Sequence, residues 1–167
     1  VLITPHEESG RSFISKGLLD KAKEKIDQNI AHFGELITSE TPLVGIEPSA
    51  ILGFRDEYPR LADDKDRARR IAPFTLTLEE FFYEEIKKGK ISSSDFSDKK
   101  KTIKIHGHCH QKSLSNMESS FAMLNLPKNY TVTIINSGCC GMAGSFGYEK
   151  EHYEVSMQVG EDTLFPK

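Results

Sequence analysis

An α/β fold, with a mostly parallel sheet flanked by helices, is the architecture this sequence predicts, and three observations predict it. Four short aliphatic or β-branched runs lack polar alternation, as strands covered on both faces do. Stretches with apolar residues at helical spacing separate these runs. Strand and helix alternate on either side of one polar segment, the pattern of βαβ units in a chain made of two similar, pseudo-duplicated strand–motif–helix halves.

Val1–Thr4 is the first expected strand, and PHEESGR (Pro5–Arg11) follows it. Leu18, Leu19, Ala22, Ile26, Ile30 and Phe33 then recur at helical spacing, with Glu and Lys on the other face. Leu43–Ile46 reads as the second strand and runs into EPSA, Glu47–Ala50. A second helix is predicted over Leu76–Lys87, where Phe81, Phe82 and Ile86 form an apolar stripe. Gly89–Lys101 is Ser- and Lys-rich and aperiodic, which marks a surface linker. Thr102–Ile105 is the third strand, followed by HGHCHQK (His106–Lys112) and a helix over roughly Gln111–Leu124. Thr131–Ile135 is the fourth, followed by SGCCGMAG (Ser137–Gly144) and a helix from near Glu149 to about Glu161. HFG at Phe33, FRDEYPRL (Phe54–Leu61) and DDKDRARR (Asp63–Arg70) read as solvated faces. The division expected is one domain, with half one at about 1–88, the linker at 89–101 and half two at 102–167.

A length of 167 residues suits one domain with a real core, and 37% hydrophobic against 28% charged residues describes a globular chain. The net charge of −3, without a dense basic stripe, argues against a nucleic-acid partner. No apolar run approaches the ~20 residues a bilayer span needs, so no transmembrane segment is expected. Three cysteines are too few, and odd in number, for a disulfide framework. A reducing cytoplasm is the default compartment, where clustered thiols point to metal or redox chemistry. The chain opens on VLIT without Met and closes on EDTLFPK, which reads as a piece of a longer polypeptide.

All four unusual motifs follow expected strands. In an open parallel sheet the carboxyl ends share one edge, where ligands bind, so His6, Glu47, Cys109, Cys139 and Cys140 are expected to converge. Thiolates select zinc or iron–sulfur centres. The vicinal pair Cys139–Cys140 does not readily chelate one tetrahedral ion; it suits a cluster, or a vicinal thiol–disulfide switch. Gly138, Gly141 and Gly144 allow close backbone approach and expose amide donors. The bland alternative is that both cysteines are small buried hydrophobes. On a strand, His106, His108 and His110 would share one face around Cys109, and a metal would need Cys109 with one of these histidines; capping or hydrogen bonding is the other reading for them. Arg11 suits a substrate carboxylate or an ordinary ion pair, and Glu47 suits a site or a helix cap. The motif-bearing residues His6, Glu8, Arg11 and Glu47 are the candidates for a substrate or second site. No GxGxxG fingerprint for a flavin or nicotinamide dinucleotide is present.

Taken together, HGHCHQK, NSGCCGMAGSFGYEKEHYEVSMQVGEDTLFP, GRSFISKGLLDKAKE and GIEPSAILGFRDEYP resemble the cysteine-rich CCG domain. That domain closes FAD-linked oxidase/iron–sulfur oxidoreductases of the D-lactate and D-2-hydroxyglutarate dehydrogenase type. Related domains occur in the iron–sulfur subunit of glycolate oxidase, in the membrane-anchor subunit of anaerobic glycerol-3-phosphate dehydrogenase and in heterodisulfide reductase. The resemblance covers nearly the whole chain. It implies that FAD in a separate domain oxidises a 2-hydroxy acid and that electrons leave through iron–sulfur centres toward a quinone or other carrier. It also implies FAD-binding and ferredoxin-like domains of the same parent chain as partners. The location implied is cytoplasmic, with peripheral association at the inner membrane face as an option. The metal centre, iron–sulfur or alternatively zinc, would fall on Cys109, Cys139 and Cys140, with His108 and His110 beside them. A structural zinc or partner-docking module and a vicinal thiol–disulfide switch are the competing readings.

Two departures from the family pattern stand out. Many relatives carry cysteines in the first half, where this chain has Glu8-Ser9 and Ala50, so half one is expected to hold no cluster. The family's second half also supplies a cysteine beyond the LFP segment, and the expectation is an incomplete metal site and an inactive isolated fragment.

Overall fold

The computed structural model describes residues 6–167. The strand expected at Val1–Thr4 lies outside the described residues.

Helices dominate, and the single sheet expected from the sequence is not formed. The described strands make two separate two-stranded sheets. β1 (Leu43–Gly45) pairs in parallel with β2 (Thr75–Thr77), and β3 (Lys101–Ile105) pairs in parallel with β4 (Tyr130–Ile134). The reason lies in length and burial. Strands of three and five residues offer few ladder bonds and little apolar area, so helices take over the core.

That core belongs to half one. α1 (Arg11–Ser15) packs on α2 (Leu19–Phe33), which buries Ala22, Ile26, Ile30 and Phe33 on one face, whereas Leu18 and Leu19, expected on that face, are exposed. After β1 come α3 (Pro48–Ile51), a 3-10 turn over Leu52–Phe54, α4 (Glu57–Leu61) and α5 (Lys65–Ile71). Ile51, Leu52, Phe54, Tyr58, Ala68 and Ile71 from these pieces close against α2. Burying side chains of this size stabilises by about 1.5–3 kcal/mol each. The three segments expected to be solvated faces are thus corrected. Phe33, Phe54, Tyr58 and Ala68 are buried anchors within charged surroundings, and Tyr58 stacks on Phe54 with ring centroids 3.9 Å apart.

Three helix boundaries also differ from expectation. Thr75–Thr77 is a strand, and α6 (Leu78–Lys87) starts only at a capping box between Thr77 and Glu80. The third helix divides into α7 (Cys109–Leu114) and α8 (Glu118–Asn125), because the Asn116 side chain accepts the Glu118 amide at 2.9 Å and restarts the helix. The last helix, α9 (Tyr153–Thr163), follows a 3-10 turn over Lys150–His152. Half two is thinly packed: among its described residues only Ile105 and Val132 are buried hydrophobics, while Ile134, Tyr153, Val155 and Phe165 are exposed. No helix among the described residues is long and apolar enough to cross a membrane.

Two polar junctions hold these parts in place. Asn29, 1% exposed, accepts the Glu7 amide (3.3 Å) and donates to the Glu8 carbonyl (2.9 Å) and to Tyr58 Oη (3.0 Å), whose hydroxyl donates to the Ser9 carbonyl (3.1 Å). It pins residues 7–9 to the core. The second junction is Glu80. Arg55 donates to its two carboxylate oxygens at 3.0 and 2.5 Å and to the Thr75 carbonyl at 2.9 and 2.6 Å. Ser115, just past α7, donates to Glu80 Oε1 at 2.5 Å, and the Thr77 amide donates to Oε2 at 2.9 Å. α6 also packs on α8, so this carboxylate sits where the halves meet.

Replacing Asn29 by Leu leaves the Glu8 carbonyl and the Glu7 amide without this partner. Urea unfolding is expected to show a loss of about 1–3 kcal/mol. For Glu80, burial pushes the pKa up, but hydrogen bonds from Arg55, Ser115 and Thr77 outweigh it and hold it below the usual carboxylate range. A depressed folded-state pKa stabilises fully above the unfolded value of about 4.3 and loses that contribution as pH falls through the folded value. Glu80→Gln is therefore expected to lower stability at pH 7 and to flatten the acid limb of a stability–pH profile. An acid limb as steep as that of the unaltered protein would contradict this assignment.

Candidate functional site

The cysteine loops are set by β3 and β4. Their parallel register places Ile105 opposite Ile134, and the Ile135 amide donates to the Ile105 carbonyl at 3.0 Å. Both strands therefore release the chain at the same edge, the geometry that gathers ligands in parallel sheets. From this edge one loop leads through His106 to Cys109, and the other through Ser137 to Cys139 and Cys140.

Polar contacts tie the two loops together. His106 Nδ1 lies 2.7 Å from Ser137 Oγ, and Lys112 Nζ donates to the carbonyls of Ser137 and Gly138, each at 3.2 Å. Thr163 Oγ1 of α9 accepts the Gly138 amide at 2.8 Å. Gly141 has φ +83°, and a Cβ there would lie 2.1 Å from the Ser156 carbonyl oxygen. Only glycine fits that close approach with that backbone. The Gly141 amide in turn donates to Cys139 Sγ at 3.3 Å.

Cys109 and Cys139 are exposed and Cys140 is half-buried; all three are free thiols. Burial pushes the Cys109 thiol pKa up, and the neighbouring Cys139 adds to the shift. Among the described residues, no group of three or more His, Cys, Asp or Glu side chains is arranged to hold a metal ion. The sulfurs have the right chemistry for a soft metal but do not form a ligand shell as placed.

The histidines part company. The chain leaves the strand at Ile105, so the shared face expected for His106, His108 and His110 is not formed. His106 turns to Ser137, and burial, then Lys112, lowers its pKa. His108 caps α7, accepting the His110 amide on Nδ1 at 3.2 Å, while its Nε2 faces Glu47 Oε1 at 3.6 Å. His110 lies 5.5 Å from His108, ring to ring, and burial followed by the charge of Arg11 lowers its pKa.

Half one meets this region where α3 packs on α7. Glu47 caps α3, accepting Ser49 Oγ and the Ala50 amide, each at 2.6 Å. Burial raises its pKa, but those hydrogen bonds outweigh it and hold the carboxylate ionised, opposite His108. Arg11 is paired with Glu57 at 2.6 Å, the ion-pair alternative. Glu8 accepts from Ser12 Oγ at 2.8 Å. His6, Glu8 and Glu47 all line one cleft of about 880 Å³ with Phe33, Ile51 and Phe54, and Arg11 is outside it. Lys112, Thr163 and Ser156, which position the Cys139 turn, are not singled out by the sequence. Only the i+3 spacing of Lys112 from Cys109 carries a hint of its role.

Gly141→Ala is expected to cost about 2 kcal/mol or more in thermal or urea unfolding, from the left-handed backbone and the clash with Ser156. It is also expected to speed alkylation of Cys140 by a bulky maleimide. An unchanged labelling rate would mean that the glycine does not hold this turn.

Comparison with known proteins follows the whole chain. It is 28% identical to the D-2-hydroxyglutarate dehydrogenase of Haemophilus influenzae, over 95% of this chain and 16% of that protein. It is 24% identical to one of the subunits of the anaerobic glycerol-3-phosphate dehydrogenase of Escherichia coli K12, over 95% of this chain and 39% of that polypeptide. The D-2-hydroxyglutarate dehydrogenase of Pseudomonas putida is 24% identical over 100% of this chain and 16% of its own length. No family model matches the chain, and no solved structure matches it significantly. The chain thus spans about a sixth of the dehydrogenases it matches, and it is homologous to members of an oxidoreductase family.

Proposed function

We propose that this chain is the cysteine-rich CCG-type module of an FAD-linked 2-hydroxy-acid dehydrogenase. In this reading half one (about 1–88) and half two (102–167) pack together where α3 meets α7 and α6 meets α8, joined by residues 89–101. The observation that carries the reading is the meeting of the Cys109 and Cys139–Cys140 loops at one strand edge, in a chain homologous to D-2-hydroxyglutarate dehydrogenases along 95% of its length. FAD, bound in another domain of the parent, oxidises the hydroxy acid in this reading, and the electrons pass to a quinone or another carrier. FAD-binding and ferredoxin-like domains are the partners within the parent chain. The parent acts in the cytoplasm, docked at the inner membrane face where the acceptor is a quinone.

For the metal, Cys109, Cys139 and Cys140 are the sulfur donors on offer, with His108 and His110, flanking Cys109 in sequence, as the nitrogen donors. When bound, an iron–sulfur centre supplies one-electron relay, and zinc supplies structure alone. The placement of the donors does not itself make a ligand shell. Support for a metal comes from thiol chemistry and kinship. The site residues in half one, His6, Glu8, Arg11 and Glu47, include no thiol.

Elemental analysis of the parent protein purified without oxygen tests the proposal. Iron with broad visible absorbance, lowered by Cys139→Ser in an otherwise folded protein, is the expected result. Stoichiometric colourless zinc would replace the electron-transfer role with a structural one, and neither metal would overturn the metal centre.

A further inference from the structure

We infer that Cys109 and Cys139 form a redox-active dithiol that closes to a disulfide between the two loops when no metal is held there. The inference uses the cysteines of the proposed metal centre but does not rest on that centre.

Three observations converge on this pair. Cys109 and Cys139 are the two exposed thiols, and Cys140 is less accessible. The loops that carry them leave a paired register at the same level and are held together by His106–Ser137 and by Lys112 on two carbonyls. Lys112, one turn of α7 after Cys109, donates to the carbonyls of the two residues just before Cys139, whose own sulfur accepts from the Gly141 amide. The competing vicinal bridge between Cys139 and Cys140 would close a small ring and twist the intervening peptide away from planarity.

The oxidant is a low-molecular-weight disulfide. The Cys139 thiolate attacks one of its sulfurs, breaks that S–S bond and expels one thiolate, leaving a mixed disulfide on Cys139. The Cys109 sulfur then attacks Cys139 Sγ and expels the second thiolate. The two cysteine protons end on the two released thiols, and two electrons have moved from the dithiol to the oxidant. The product holds the loops shut and removes two sulfurs from any metal, so loading becomes conditional on reduction.

The full chain, reduced and stripped with a chelator under argon, is exposed to glutathione disulfide and then alkylated. Trypsin separates Cys109, in the peptide Ile105–Lys112, from Cys139 and Cys140, in the peptide Asn129–Lys150. The expected result is a bridge between these peptides at Cys139, with Cys140 alkylated, exceeding any Cys139–Cys140 bridge by roughly tenfold. A dominant vicinal bridge, or glutathione adducts without an internal bridge, overturns the inference. Cys140→Ser should keep the bridge, and Cys109→Ser should trap glutathione on Cys139. If a variant misfolds, the map of the unaltered chain decides alone. Metal uptake by the reduced chain, measured in parallel, separates the two readings. A bridge without uptake removes only the metal, and uptake without a bridge removes only the disulfide.

Discussion

The carboxylate of Glu80 is the constraint on which the arrangement of the two halves depends. It is the N-terminal box of α6, the anchor of Arg55 and the acceptor for Ser115. Through Arg55 it reaches the backbone of β2, and through Ser115 the end of the helix that begins at Cys109. A mostly buried charge is tolerable only when its donors are nearly all supplied. Here the guanidinium, a hydroxyl and an amide supply them together. Loss of any one of these partners would strand the others, so the relative setting of α6, β2 and α7 is specified as a unit.

Much of this could be read from the sequence where periodicity was long. The fifteen residues of α2 show their buried face openly, and the strands around Ile103 and Val132 were marked by β-branched runs. What could not be read was short or depended on distant partners. Thr75-Leu76-Thr77 looks like the start of a helix until the parallel pairing with β1 is seen. Phe54 and Tyr58 hide in a charged stretch because one stacks on the other, while the adjacent Arg55 and Glu57 are held in ion pairs to Glu80 and Arg11. The assumption of one continuous sheet failed for a related reason. Runs of three to five residues announce strands but carry no information on how many join.

Parallel pairing brings both cysteine loops to one edge, and the sequence had placed each of them after a strand. It did not show which would face which. His106 and His108 point to different partners since the strand ends before the motif begins. Glu47 caps α3 with one oxygen and presents the other toward His108. Arg11 pairs with Glu57 at 2.6 Å. The tight turn at Gly141 makes the same point about backbone. Its glycine was visible, but the carbonyl of Ser156 that requires it lies fifteen residues further along the chain.

The uneven burial of the two halves has a consequence for how the molecule breathes. Amide protons of α2, behind Ile26 and Ile30, are shielded by the main core and exchange with deuterium only when most of the protein opens. Those of β3 and β4 lie in short ladders over two buried side chains, so they exchange through smaller, cheaper excursions. The thiols therefore ride on the softer part of the fold. A partner or prosthetic group that grips these loops would be seen first as slowed deuterium uptake in half two, with half one scarcely changed.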